Sequence, residues 1–275
     1  FEGRVRERMG SSPICRTKKN DHPTGWSFSY FGNQSQNTGG IPMRKQQIKI
    51  GHIPAVIWGE PSNRVFLAVH GDQSNKEDQV IEVFAQEATK KGYQVVSFDL
   101  PEHGERKQET TPCHVKVCVK ELAEVMAFAR SKYEQVSLFA CSMGAYFSML
   151  AYKDESLEQT LLLSPVVDMR RIIENIMSYA QVTPEQLEQQ KEIATPFKTL
   201  YWDYYQYVIE HPVVWDKKTA LLYGAKDFLC EYEIVKNFAD RAHAEMTVLD
   251  EGEHFFHTEE QIAFYQDWLT KQIAK

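Results

Sequence analysis

Long apolar runs are missing from the 275 residues. None approaches the ~18–20 residues that a helix needs to span a bilayer, and the N-terminal stretch lacks the apolar core of a secretory signal. Cysteine is scarce: five, at positions 15, 113, 118, 141 and 230, an odd set without the spacing of a disulfide framework. That excludes a disulfide-stapled scaffold and points to a reducing, cytoplasmic compartment. Basic charge is in deficit, with 31 Lys and Arg against 38 Asp and Glu. A net charge of −7 does not suit sequence-independent binding of nucleic acid, which needs a basic face. Fourteen glycines and eleven prolines rule out collagen-like repetition. What remains is ordinary globular composition, 43% hydrophobic and 25% charged, in a chain long enough to bury one large core.

Residues 1–42 differ from the rest. They show no helical or strand periodicity and carry six basic against three acidic residues, leaving 25 against 35 for residues 43–275. The composition breaks at Gly39-Gly40-Ile41-Pro42, and Met43 opens a regular pattern. A leader or appended extension over 1–42, with Met43 as the natural start, is the expectation; a basic targeting arm is the rival.

From Met43 onward, apolar runs predict eight strands: Gln46–Ile50, Pro54–Trp58, Arg64–Val69, Gln94–Phe98, Gln135–Ala140, Thr160–Ser164, Thr219–Tyr223 and Glu245–Leu249. Helical spacing falls between and after them, over Lys76–Lys91, Val115–Ser131, Met143–Tyr152, Glu231–Ala242 and Thr258–Gln272. Strands alternating with helices predict an α/β fold: a mostly parallel eight-stranded sheet with helices on both faces. Between Ser164 and Thr219 the alternation stops. Asp168–Tyr179 and Thr183–Lys191 have helical character, with Thr183 as cap and Pro184 as first helical residue, but no strand signal occurs. So long an excursion predicts a helical cap over about 166–216, inserted after the sixth strand.

The sharpest chemical signal is Phe139-Ala140-Cys141-Ser142-Met143-Gly144-Ala145, where a buried strand turns abruptly into a helix. Small residues two before and two after a nucleophile let strand and helix approach and lift the side chain clear of the sheet. Ala140 and Gly144 meet that need around Ser142. Cys141 as nucleophile would place Phe139 and Met143 at the small positions and is rejected on steric grounds. A serine hydroxyl needs a base, and the base needs orienting. His254 follows the last strand directly, on a loop able to return over the turn. His257 is expected to cap or pack, and His243 belongs at the strand's opposite end. Asp227 leaves the strand Thr219–Tyr223 in a tight turn and is the expected orienting acid, with Asp168 as runner-up and Asp250 too close to His254.

These residues, in the order Ser142, Asp227, His254, resemble the α/β-hydrolase family. Val69-His70-Gly71 resembles its oxyanion loop. Asp99-Leu100-Pro101-Glu102-His103-Gly104 resembles its Asp-x-x-Gly-His-Gly segment, with Glu102 replacing the first Gly. The resemblance covers residues 46–273. It implies an oxyanion hole from the backbone N–H groups of Met143 and Asp72, where an ionised Asp72 side chain must turn away or be paired. His103 and Arg106 are expected to brace the surrounding loops, and His70 to be structural. Cys113, His114 and Cys118 match no common zinc spacing, so no metal and no cofactor are expected.

The cap segment concentrates aromatic residues at Tyr201, Trp202, Tyr204, Tyr205 and Tyr207; Tyr201, Trp202 and Tyr205 are the candidate substrate wall. Arg170 and Arg171 are read as a solvated helix face. The function expected is a serine carboxylesterase for small to medium acyl or aryl esters, its partner a small-molecule ester. A peptidase, a thioesterase or a non-catalytic binding protein on the same fold are the alternatives. The phosphate-binding class is excluded, because His70-Gly71-Asp72-Gln73-Ser74-Asn75 lacks a Gly-rich loop pattern.

Overall fold

The computed structural model describes residues 43–274, so the leader expected over 1–42 lies outside the described residues. Eight strands form one sheet: β1 (Lys45–Ile50), β2 (Ile53–Trp58), β3 (Arg64–Val69), β4 (Gln94–Phe98), β5 (Gln135–Cys141), β6 (Thr160–Leu163), β9 (Thr219–Gly224) and β10 (Glu245–Leu249). The order across the sheet is β1-β2-β4-β3-β5-β6-β9-β10. β1 and β2 form an antiparallel hairpin around Gly51, which takes the left-handed φ of 58° that glycine tolerates. β2 pairs antiparallel with β4, and every later pairing is parallel.

Side chains alternate across the sheet, and the alternation divides the core in two. Val65, Leu67, Val69, Val136, Leu138 and Ala140 face helices α2 (Val115–Lys132), α3 (Ser142–Ala151) and α7 (Tyr232–Arg241). Phe66, Ala68, Val95 and Phe139 face α1 (Gln79–Lys90) and α8 (Glu259–Gln272). A sheet covered on both faces explains why these strands read as continuous apolar runs rather than alternating ones. On the second face Phe139 stacks on Phe84 of α1, with ring centroids 4.0 Å apart.

Two local differences from the expected pattern have clear causes. The helix expected from Lys76 starts at Gln79, because Asp78 caps it and the Lys76 N–H is taken by the Asp99 carboxylate at 2.9 Å. The cap contains strand as well as helix: α4 (Met169–Ala180), α5 (Pro184–Gln190), β7 (Glu192–Ile193), β8 (Leu200–Tyr201) and α6 (Trp202–Glu210). β7 and β8 make a two-residue antiparallel ladder, too short to leave a periodic signal. Thr183 and Gln186 close a capping box on α5, with Pro184 at its first position. Asp168 caps α4 by accepting from the Arg171 N–H, which accounts for that carboxylate. Arg170 pairs with Glu174, and Arg171 with Glu231, on the solvated face.

Candidate active site

The parallel strands deliver their following loops to one edge of the sheet, where open α/β folds bind ligands. Ser142 sits where β5 becomes α3, with φ 47°, a left-handed conformation that costs a non-glycine residue about 1–3 kcal/mol. The small residues make this bend possible. A Cβ on Gly144 would overlap the carbonyl oxygens of His70 and Val69, so α3 lies directly against the end of β3. A Cβ on Gly71 would come within 3.0 Å of the Ser142 Cβ and 3.7 Å of its Oγ, which sets the Gly71–Asp72 backbone beside the hydroxyl.

Ser142 Oγ lies 2.8 Å from His254 Nε2, and His254 Nδ1 lies 2.7 Å from Asp227 Oδ2. Both the imidazole and the carboxylate are shielded completely from solvent. The other carboxylate oxygen, Oδ1, accepts the N–H groups of Leu229 and Cys230 at 2.8 and 2.9 Å, so the acid is held by its own turn. The Asp227 and His254 loops are fastened to each other. Lys226 N–H donates to Gly252 O and Ala225 N–H to Leu249 O, while Gly224 and Gly252 approach so closely that a Cβ on either would meet the other's backbone. These two glycines are site-forming residues that strand and motif patterns passed over. Their flanking turn sequences, Tyr223-Gly224-Ala225 and Glu251-Gly252-Glu253, are the signal that was present.

The other histidines fall elsewhere. Thr258 caps α8, and His257 joins that cap only through its backbone N–H, which donates to Gln261 Oε1, while its ring is exposed beside Glu253. His243 stands between α7 and β10, away from the strand's carboxyl end. His70 Nδ1 donates to Gly71 O at 2.7 Å and Nε2 accepts the Leu100 N–H at 3.0 Å, which requires a neutral ring. Burial, then the nearby charge of His103, pushes its pKa down to about 4. It ties the loop after β3 to the loop after β4 as a structural residue.

Asp72 is both turned to partners and paired. Its Oδ1 accepts from His103 Nε2 at 3.2 Å and from Lys198 Nζ at 3.0 Å. Lys198 comes from the cap, in the turn between β7 and β8, where Thr195 Oγ1 accepts the N–H groups of Phe197 and Lys198. Burial opposes ionisation of Asp72, yet these two cations hold its carboxyl well below the usual range. His103 also donates from Nδ1 to Pro101 O at 2.7 Å, so both ring nitrogens are donors and the ring is cationic. Burial works against that charge, but Asp72 and Cys113 hold the pKa up to about 10.

A pH dependence follows. Over pH 7–8 His103 is protonated when folded and largely neutral when unfolded, where its value is 6.5. The contact therefore stabilises the fold fully below pH 6.5, and that stabilisation is lost as pH rises through about 10. Denaturant midpoints of wild type and His103→Gln are expected to differ most near pH 6 and to converge by pH 10. A difference that stays constant over that range would rule out the charge as its source.

The loop after β4 is organised by Asp99, fully buried, which accepts Lys76 N–H, Lys76 Nζ (2.8 Å) and Glu105 N–H. Gly104 runs at φ 53°, and a Cβ there would overlap the Asp99 carboxylate. Arg106 braces the same loop from within the protein, as its place in the motif predicted. Its guanidinium grips Glu121 of α2 in a bidentate pair at 2.6 and 2.9 Å and donates to Asp99 O.

The cap aromatics divide by role. Tyr205 is buried and donates its hydroxyl to Glu174 Oε1 at 3.0 Å, which fastens α6 to α4. Tyr201 and Trp202 are partly exposed, Tyr201 lying edge-on to His114. Tyr204, of the same cluster, has a buried hydroxyl without a hydrogen-bond partner among the described residues, as does Tyr146 of α3. Asp227, Cys230 and His254 each bring one ligand-type atom within 4.8 Å of the others, but the Asp227 and His254 atoms are already committed to each other.

The sheet order and the inserted cap are those of the α/β-hydrolase fold, and the three side chains have the geometry of a Ser–His–Asp nucleophilic triad. No protein-family model and no curated protein matches the chain. Solved structures do. Est1E from Butyrivibrio proteoclasticus, with ferulic acid bound, aligns at TM-score 0.66 and 15% identity over 82% of this chain and 96% of its own. Esterase Pf2001 from Pyrococcus furiosus aligns at 0.60 and 18% identity, over 84% and 90%. Mouse alpha/beta hydrolase domain-containing protein 10 aligns at 0.66 and 14% identity, over 83% and 97%. At such identities the likeness establishes the fold; the chemistry rests on the side chains. Among the described residues no helix is long and apolar enough to cross a membrane.

Proposed function

We propose that the chain is a serine carboxylesterase for small to medium acyl or aryl esters, acting in the cytoplasm. The observation that carries the reading is the pair of contacts at 2.8 and 2.7 Å that links Ser142, on its strained turn, through His254 to Asp227. His254 Nε2 takes the Ser142 proton as Oγ attacks the ester carbonyl. Asp227 fixes the tautomer with the proton on Nδ1 and stabilises the imidazolium. The backbone N–H groups of Met143 and Asp72 receive the oxyanion; each such donor contributes roughly 3 kcal/mol at the transition state. With its carboxylate engaged by His103 and Lys198, Asp72 can serve through its backbone, which weakens the binding-protein alternative. His254 then protonates the leaving alcohol, and water cleaves the acyl-enzyme by the same route. These steps need no metal or cofactor.

Tyr201 and Trp202 form the apolar wall of the acyl or aryl site, with Tyr205 behind them holding the cap together. An aromatic wall suits an aryl group, and the fold's likeness to a structure with ferulic acid bound agrees with that preference. The buried thiols, Cys118 and Cys230 among them, fit a reducing compartment.

Hydrolysis of p-nitrophenyl esters from acetate to decanoate tests the reading. Turnover above the buffer rate is expected, with kcat/KM passing through a maximum at short or medium chains. Rates equal to buffer across the whole series would overturn the simple-esterase assignment.

A further inference from the structure

A second reactive centre lies outside the triad, at the start of α2. We propose that Cys113 and Cys118 form a peroxide-reactive dithiol, in which the Cys113 thiolate is oxidised and Cys118 resolves it as a disulfide. The two sulfurs are 3.8 Å apart. Cys113 immediately precedes His114, the residue that caps α2, and Cys118 stands in the helix's first turns. Both backbones are anchored: Glu102 Oε2 accepts the Cys113 N–H at 2.8 Å, and His114 O accepts the Cys118 N–H at 2.9 Å. Closing the bond to about 2.05 Å requires the sulfurs to approach by roughly 1.8 Å.

The surroundings give the two thiols different characters. Cys113 has a cationic neighbour in His103, whose charge Asp72 secures, and a further one in Lys198. It also stands at a helix N-terminus, where partial positive charge favours a thiolate. The hydrogen bond from Cys118 is the largest influence; against the opposing effect of burial, it and His103 bring the Cys113 pKa down to about 6. Cys118, fully buried and beside that thiolate, has its pKa pushed well up and remains the proton-bearing donor. Burial likewise raises Cys141 and Cys230, so the described cysteines contain one thiolate rather than four equivalent thiols.

The chemistry balances with a hydroperoxide as oxidant. Cys113 Sγ attacks the peroxide's distal oxygen, the O–O bond breaks, and the departing oxygen leaves as hydroxide or alkoxide and takes a proton. Cys113 is then a sulfenic acid. Cys118 loses its proton and attacks Cys113 Sγ, an S–S bond forms, the S–O bond breaks and water leaves. Two equivalents of a small thiol restore the dithiol and become a disulfide themselves. Nothing in these steps depends on Ser142.

The test exposes the reduced full chain to one equivalent of hydrogen peroxide at pH 7, blocks remaining thiols and maps cysteine peptides by mass spectrometry. A Cys113–Cys118 disulfide, reversed by dithiothreitol, is expected. In Cys118→Ser, dimedone should trap a sulfenic acid at Cys113. Removing the cation with His103→Gln is expected to slow Cys113 oxidation roughly tenfold. In unaltered protein, the rate of Cys113 alkylation by iodoacetamide should rise with a midpoint near pH 6. Oxidation spread evenly over the cysteines, a disulfide from Cys113 to any other cysteine, or an alkylation midpoint near that of an ordinary thiol would each overturn the assignment.

Discussion

Ser142→Ala is expected to lower kcat for p-nitrophenyl acetate by about 10⁶-fold, with little change in thermal stability. The hydroxyl is the atom that forms the acyl bond, and the adjacent thiol is no substitute: Cys141 packs against the second core cluster, and burial raises its pKa. His254→Ala should cost about as much, because a serine without its base is no nucleophile. The double variant should be no worse than either single one, since the residues act as a unit. Asp227→Asn keeps the shape but donates where the carboxylate accepts, leaving His254 in the wrong tautomer, and should cost about 10⁴-fold. Steady-state rates, together with labelling of Ser142 by a fluorophosphonate, check all four variants. Near-wild-type hydrolysis by Ser142→Ala would remove the nucleophile assignment, whatever the fold.

Arg106→Ala is expected to destabilise the protein by about 3–5 kcal/mol, the range for removing one partner of a buried ion pair. The guanidinium is fully shielded and Glu121 is 7% exposed, so its carboxylate, left with His52 Nε2 at 3.0 Å, has little water to turn to. For a domain of this size the loss corresponds to a fall in Tm of roughly 10 °C. Glu121→Ala should cost a similar amount, and the double variant less than the sum of the two, which a denaturation cycle will read directly. Additive losses would show that the two groups do not depend on each other. The same substitution loosens the loop carrying His103, because Arg106 also donates to Asp99 O.

How much of this could be read from residues alone depends on how local the cause was. The eight main strands were legible to within a residue or two, since each is a buried apolar run bounded by a turn. Ser142 was legible because Ala140 and Gly144 flank it at the spacing a sharp turn demands. Asp227 and His254 were legible because each follows a strand that a parallel sheet must deliver to one edge. The β7–β8 ladder was not: four residues, separated by a six-residue turn, carry no periodicity. Nor was the Asp72–Lys198 pair, whose partners are 126 residues apart and which answers the concern that residue type alone raised about Asp72. Glu121 escaped notice because a glutamate in a helix ordinarily faces water, and only tertiary placement turns it to Arg106. The Gly224–Gly252 approach is likewise a meeting of two loops, written in neither.

The separation of 112 positions from Ser142 to His254 also sets a timetable. A ribosome adding about 5–20 residues per second delivers the nucleophile roughly 6–22 s before its base. Through that interval the elbow is built on β5 and α3, yet its hydroxyl has an ordinary alcohol's reactivity. Among the described residues β10 pairs only with β9, at the edge of the sheet, so the imidazole arrives with the last of the eight strands. The triad therefore waits on β10 rather than growing with the chain, because until that strand docks on β9 the Ser142 hydroxyl has no base.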